Sequence, residues 1–573
     1  MMRTAADRPS PGGITQCATL AHVLARLKHK NALGETRRRD LLSAVKGVAR
    51  LLGDEPQAIP LQMAAISGRL GQVNPVAIGI SCKRLANIRS DFMAALRLVG
   101  AVPVKTGRTS TLSRDWVDFF GRLASRRAHI GLSRLARFAS VAGIAPKEVT
   151  DDVISNFIRS LNAHSLCPRP TVLHRKVALL WNQAARDPAL GLQQVTVPSY
   201  RKPRRIDWTL LAKTFREDAD RYLAWCGVID PFATNARSRS LAPATRRLRR
   251  DQIHAAVTAL VQSGVKPATV RSLADLVTPD HVKRILRRRL NAVGGRENIF
   301  NHDLAKMLVR LSVEWVKVDA RGLAELKRLL GKMPAPSLGL TAKNKAALRQ
   351  FDDPAVLRRL YAVADQLFTE ARRENEPTFH TLAKAQAALA IEILSYIPIR
   401  PQNLAALTFD RHLFLRPGRH ATSTLELSGD EVKNGVDLAF DIPRSVATKL
   451  IEYRHKLAPK VVGRRPARLF VNVDGRPKNQ ASVVSLITGY LRRRAGVVLT
   501  AHQFRHLSAK IMLDAEPGAF ELVRQLLGHK SMKSTVGAYA GIDSRRAARR
   551  HQLLVEQAIA PATPIPRQHL RSL

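Results

Sequence analysis

Six residues in the last third of this 573-residue chain stand in an order that could perform one kind of chemistry: Arg400, Lys433, His502, Arg505, His529 and Tyr539. Five are basic donors and the last is a phenol, the set required to cut a phosphodiester through a phosphotyrosine. A phosphodiester resists attack because its two nonbridging oxygens repel nucleophiles, and the transition state concentrates more negative charge on them. Fixed positive donors must neutralise that charge. Arginine does so best, since its planar fork grips two oxygens at once and keeps its proton at working pH. His502 and Arg505 are three positions apart, so on a helix they share a face and one phosphate can touch both. Taken alone, an H-x-x-R pair reads as a surface helix and a single His529 as a structural imidazole; their order and company give them meaning. Tyr539 is the only one of the seven tyrosines that follows Arg505.

The Arg400 segment reads Tyr396-Ile-Pro-Ile-Arg-Pro-Gln-Asn-Leu-Ala-Ala-Leu407. The later cluster reads His502-Gln-Phe-Arg505-His506, then Leu526-Leu-Gly-His529 and Ala538-Tyr539-Ala540. Together these resemble the tyrosine recombinases, the phage-integrase family, over roughly Leu340 to Glu556. The resemblance implies that Arg400 and Arg505 grip the phosphate and that Tyr539 is the nucleophile, leaving a 3′-phosphotyrosine and a free 5′-hydroxyl. It implies that Lys433, the only lysine between Arg400 and Lys449, protonates the departing 5′-oxygen. His502 would assist proton transfer or bond the phosphate, and His529 would donate to a nonbridging oxygen. Two departures stand out. Many family members carry Glu three residues after the first arginine, where this chain has Asn403, so a neutral hydrogen bond is expected to support Arg400. The ten positions from His529 to Tyr539 exceed the commoner spacing by one. With five basic donors and no carboxylate cluster in these motifs, neither a catalytic metal nor any other cofactor is expected.

The elements that must position this set follow from local pattern. Leu382, Ala385, Leu389 and Ile393 line one face of a helix that must stop before Pro398. Arg400 then lies in a turn, with Pro401 suited to the first position of a short helix, so the arginine is presented at a helix entrance where anions are welcome. Leu425 and Leu427 alternate with polar residues, as do Val436, Leu438 and Phe440 across Asn434-Gly435, which predicts a strand pair with Lys433 at its turn. Upstream, apolar residues recur at helical spacing almost throughout. The expected fold is mainly α: helical N-terminal DNA-binding domains followed by a mixed α+β catalytic domain with a small antiparallel sheet. Boundaries are expected to give an N-terminal helical domain at 1–105, a helical core-binding-like domain at 106–205, a second helical, basic region at 206–335 and the catalytic domain at 336–573. The 332–339 stretch, Lys-Met-Pro-Ala-Pro-Ser-Leu-Gly, is the expected hinge before the last domain.

Bulk composition agrees with a polyanionic partner. Lys plus Arg number 94 against 45 acidic residues, a formal charge of +49, and nucleic acid is the usual match for such an excess. With 45% hydrophobic residues the charge decorates folded domains. Phosphate contacts are expected from the basic connector at Arg204 and Arg205, from Arg246, Arg247, Arg249 and Arg250 in a patch that begins at Arg237, and from Arg287 and Arg288. Each of these reads equally well as a solvated residue. Cys17, Cys82, Cys167 and Cys226 are too far apart for a zinc knuckle and read as buried thiols. No apolar stretch reaches the length of a membrane span and residues 1–16 lack a signal-peptide core, so a cytoplasmic protein is expected. The resulting expectation is a site-specific recombinase or integrase of a mobile element, acting on double-stranded DNA as a homo-oligomer, four protomers on two sites. Residues such as Ala547 and the Leu553-Leu554-Val555 run would dock on a neighbour. The rival readings are a type IB topoisomerase-like enzyme that relaxes supercoils and a noncatalytic DNA-binding remnant.

Overall fold

The structure is a computed structural model that describes residues 18–30, 34–102, 112–200, 205–228, 232, 240–296, 298–335, 339–416, 418 and 421–559. It is mainly helical with one small sheet, as the sequence predicts. Two compact units are present, Met1–Pro198 with Leu340–Leu573, and Ser199–Gly339. The first holds three hydrophobic cores. One is built from Leu20 to Val102, a second from Trp116 to Val195, and the third and largest from Leu340 to Tyr539. The unit Ser199–Gly339 has its own core, in which Phe215, Tyr222, Ile253, Leu260 and Leu308 are sealed from solvent.

The third core carries the candidate site. At its centre lies the helix Phe379–Tyr396, whose entrance is capped by the Thr378 hydroxyl accepting from the His380 N–H at 3.2 Å. The sequence predicts one apolar face for this helix, but it is buried nearly all round, Ala383, Gln386, Ala387 and Ala390 included. Small residues allow that, because alanines let Pro354–Arg373, Arg444–Glu452 and Gln480–Tyr490 pack close on several sides. Gln386, buried among them, is satisfied by donating to the Tyr453 hydroxyl at 2.8 Å and the Val471 carbonyl at 3.0 Å.

The sheet runs β1 (Leu413–Phe414), β2 (Ser423–Leu427) and β3 (Leu438–Ile442) in that spatial order, all antiparallel. Leu425 pairs with Phe440 and Leu427 with Leu438, so the apolar positions of β2 and β3 face the core together. Asn434-Gly435 is not a two-residue turn between these strands: β3 starts at Leu438, and Val436 is exposed ahead of it. Residues 428–437 form instead a loop shaped by side chains. Asp437 accepts the Gly429 N–H at 2.6 Å, and Glu431 pairs with the buried His412 at 3.1 Å. Of the cysteines within the described residues only Cys226 is buried, whereas Cys82 is exposed at the first position of its helix and Cys167 is half-buried; Cys17 lies outside the described residues.

Beyond the sheet come the helices Gln503–Ala515, Phe520–Leu526 and Met532–Ile559. Between the last two, Gly528 adopts φ +57 with its α-carbon facing Leu438 of β3, where an added Cβ would come within 2.9 Å of a leucine methyl. Gly528→Ala is therefore expected to cost roughly 1–2 kcal/mol for the left-handed backbone, plus the displacement of Leu438. A lowered thermal midpoint measures this, and an unchanged one would show that the turn relaxes freely.

Candidate active site

Arg505, on the first turn of Gln503–Ala515, is 4% exposed. Its guanidinium donates from Nη1 to the Pro398 carbonyl at 2.6 Å and from Nη2 to the Leu527 carbonyl at 2.5 Å. Pro398 lies two residues before Arg400 and Leu527 two before His529, so one side chain staples three segments that are distant in sequence. A guanidinium has five N–H donors, and those not spent on the carbonyls stay available. Burial first and the Arg400 charge second lower the Arg505 pKa to about 10, which leaves it protonated at neutral pH.

Arg400 sits where the sequence predicts, immediately before the short helix Pro401–Ala406, and is half-buried. Asn403, in that helix, is buried; its amide donates to the Glu431 carbonyl at 3.1 Å, tying the helix to the loop that carries Lys433. The bond expected to support Arg400 thus goes to that loop. Asn434 fixes the other side of the loop by donating to the Gly528 carbonyl at 2.5 Å. Lys433 itself is exposed.

His502 stands at the N-cap position of the Arg505 helix, one residue before its first turn, without a capping bond from its side chain. Desolvation first, then the charges of Arg505, Arg400 and Lys433, hold its pKa below the ordinary value. His529 places Nδ1 3.0 Å from the Thr535 hydroxyl, and burial followed by Arg505, Arg400 and Arg524 brings its pKa down to about 4. Tyr539, on the long helix Met532–Ile559, is 2% exposed, and its pKa is pushed up to about 12 by burial, with Arg505 pulling the other way. The bonds from Arg505 to the Pro398 and Leu527 carbonyls, from Asn434 to Gly528, and between the His506 helix and the Tyr539 oxygen draw together the segments that carry Arg400, Lys433, His502, Arg505, His529 and Tyr539.

One member of the site had no role in the sequence reading. His506 places Nδ1 2.9 Å from the Tyr539 oxygen, its rings lying 5.2 Å from His502 and 5.7 Å from Tyr539 by centroid. Burial first, then His502, Arg505 and His529, lower its pKa to about 4. The spacing of His502 and His506, four residues apart on one helix face, was the available signal. Asn344, whose amide lies 3.3 Å from His506 Nε2, is 162 residues away in sequence and had none. Among the described residues no group of three or more His, Cys, Asp or Glu side chains could hold a metal ion.

Residues 354–546 match the Phage integrase family. They form a phage integrase family domain. No curated protein matches the chain. Among solved structures, a lambda integrase fragment, residues 75–356, as a dimer bound to a COC′ core site is 16% identical over 56% of this chain and 94% of its own, at a TM-score of 0.34. XerH site-specific recombinase bound to difH substrate, in a pre-cleavage complex, is 14% identical over 60% of this chain and 98% of its own, at 0.30. An integrase from mycobacterium phage Brujita is 17% identical over 59% and 92%, at 0.23. The family supports site-specific DNA recombination, the cutting and rejoining of DNA, as the general activity of the integrase domain.

Outside the integrase domain, the expected phosphate-binding arginines separate by environment. Arg247, Arg287 and Arg288 are exposed and Arg246 half-buried. Arg205 and Arg250 are paired at the surface with Asp251 at 2.6 Å and Asp220 at 2.8 Å. Arg249 departs from the expectation: it is buried, bonded to Gln252 at 3.2 Å, because it falls on the core-facing side of its helix beside Tyr222. Arg204 and Arg237 lie outside the described residues. No described helix is long and apolar enough to cross a membrane.

The integrase domain should be sensitive to mild acid. His506 and His529, ordinarily 6.5, are near 4 when folded, so the unfolded chain binds protons that the folded one refuses. Their contribution is complete above pH 6.5 and drains away as pH falls toward 4. A His506→Asn, His529→Gln double variant is expected to lose less of its thermal midpoint than wild type between about pH 7 and about pH 5. Parallel losses would show that neither imidazole is held neutral.

Proposed function

We propose that the integrase domain cuts double-stranded DNA by attack of the Tyr539 oxygen on phosphorus and reseals it by the reverse reaction. The observation that carries this reading is the buried Arg505, bonded to carbonyls two residues before Arg400 and two before His529, on the same helix whose His506 meets the buried Tyr539 oxygen. Arg400 and the unspent donors of Arg505 neutralise the nonbridging oxygens. His529 Nδ1 lies 3.0 Å from the Thr535 hydroxyl, and in the tautomer that accepts from it Nε2 carries the hydrogen for one of those oxygens. The Tyr539 oxygen bonds to phosphorus while the bond from phosphorus to the 5′-oxygen breaks. His502, held neutral, takes the phenol proton, and Lys433 gives a proton to the departing 5′-oxygen. A 3′-phosphotyrosine and a free 5′-hydroxyl result. Attack by a 5′-hydroxyl, from the same strand or a partner strand, restores the phenol and joins the DNA without metal or nucleotide.

Partner exchange at specific sites, in the service of a mobile element, is the biological role that follows, with four protomers holding two sites. Leu553, Leu554 and Val555, exposed near the end of the Tyr539 helix, offer an apolar patch for a second copy. Exposed Arg247, Arg287 and Arg288 on the unit Ser199–Gly339 would add sequence-independent phosphate contacts. The four domains suggested by the sequence, 1–105, 106–205, 206–335 and 336–573, would divide binding from catalysis.

The test begins with duplexes that the protein itself selects from a random-sequence pool, resynthesised with a nick that traps the cut strand. Wild type is expected to form an adduct stable to denaturation, mapping to Tyr539. Tyr539→Phe should abolish the adduct and keep DNA binding, and Arg400→Ala should slow adduct formation by about 10²–10³-fold. An adduct that persists in Tyr539→Phe overturns the mechanism, and relaxation of supercoils without joining of two sites overturns recombination.

A further inference from the structure

A chain of hydrogen bonds behind Tyr539 has its direction fixed by a single backbone group. The Thr500 N–H can only donate, and it meets Gln503 Oε1 at 2.8 Å, with the Thr500 hydroxyl on the same oxygen at 3.0 Å. That sets the Gln503 amide, whose Nε2 then donates to Asn344 Oδ1 at 3.1 Å. With its oxygen turned to Gln503, Asn344 presents Nδ2 to His506 Nε2 at 3.3 Å. Nε2 therefore accepts, the imidazole carries its one hydrogen on Nδ1, and Nδ1 lies 2.9 Å from the Tyr539 oxygen.

We propose that His506 is the hydrogen-bond donor that aims and activates the Tyr539 oxygen, and that Asn344 is the positioning residue that fixes its tautomer. The inference rests on Tyr539 being the nucleophile. Its chemical content is a direction. Because Nδ1 is already protonated, His506 cannot receive the phenol proton, which must go to another acceptor, the role proposed for His502. Donation from Nδ1 instead stabilises the oxygen as it loses its proton, easing formation of the phenolate that attacks. It also offsets part of the penalty that burial imposes on the phenolate. Asn344 comes from the helix Ala342–Arg349, outside the segments that carry the six motif residues, so the first helix of this core sets the tautomer of His506.

Single-turnover rates of adduct formation on the nicked, self-selected duplex test this, with the duplex Kd and the thermal midpoint measured beside them. His506→Ala is expected to slow the covalent step about tenfold or more, within the range of a lost donor, while Kd stays within about twofold. His506→Asn, whose amide nitrogen can stand near the position of Nδ1, should recover most of that rate. Asn344→Leu frees the imidazole to change tautomer and should give an intermediate rate. The proposal is overturned if His506→Ala reacts at the wild-type rate, if His506→Asn is as slow as His506→Ala, or if a weaker Kd explains the whole loss. Tyr539→Phe separates the two readings: an adduct from that variant removes the nucleophile assignment itself, whereas a silent Tyr539→Phe beside an unimpaired His506→Ala removes only the role of His506.

Discussion

A buried guanidinium held between two backbone carbonyls is the constraint on which the rest of this domain is arranged. Taking the Arg505 charge out of water is costly, and the cost is offset only when its donors are satisfied with good geometry. The carbonyls of Pro398 and Leu527 do this, and in doing so they fix where the chain must pass. Arg400 and His529 each follow two residues later, so the bonds that make burial of Arg505 tolerable also deliver its two neighbours. Stability and site geometry are therefore one requirement: a chain that misplaces either loop strands a charge in the core.

The same economy continues outward with neutral groups. Asn403 links the Arg400 helix to the loop 428–437, Asn434 links that loop to Gly528, and Gly528 precedes His529. Each bond joins two segments that already bear a site residue, so the loop is anchored on both flanks while the Lys433 side chain between them remains exposed. Groups proposed to grip a phosphate are held in the protein; the group proposed to serve the departing oxygen stands at its surface, where a bound strand would lie.

The sequence shows the site more clearly than it shows the scaffold. Order and residue type, together with the resemblance to the tyrosine recombinases, pointed to Arg400, Lys433, His502, Arg505, His529 and Tyr539, and Pro398 and Pro401 marked the turn between two helices. Four features were hidden for definite reasons. The helix Phe379–Tyr396 was read as one-sided because periodicity cannot distinguish one buried face from many when alanines fill the others. Asn434-Gly435 imitated a tight hairpin, whereas the real loop is shaped by Glu431, His412 and Asp437, bonds that no local pattern announces. Arg249 sat in a run of arginines whose exposure could be assigned only once the helix had a core to face. Asn344 is the extreme case, a long-range contact from an unremarkable stretch.

Electrostatically the site is incomplete by itself. Arg400 depresses the pKa of Arg505, both depress those of His502 and His529, and no described carboxylate is among the influences on these four. Like charges gathered in a partly dry space raise the free energy of the protein unless an anion joins them. A phosphate placed there meets donors already oriented and relieves repulsion already present, so little reorganisation is left for the reaction. The added charge of a pentavalent transition state deepens that relief, whereas the neutral imidazoles of His502 and His529 add hydrogen-bonding capacity without adding to the repulsion. In the proposed mechanism, a positive field built from two permanent charges and neutral donors would thus favour attack on phosphorus while leaving the phenol protonated, and inert, when no phosphate is bound.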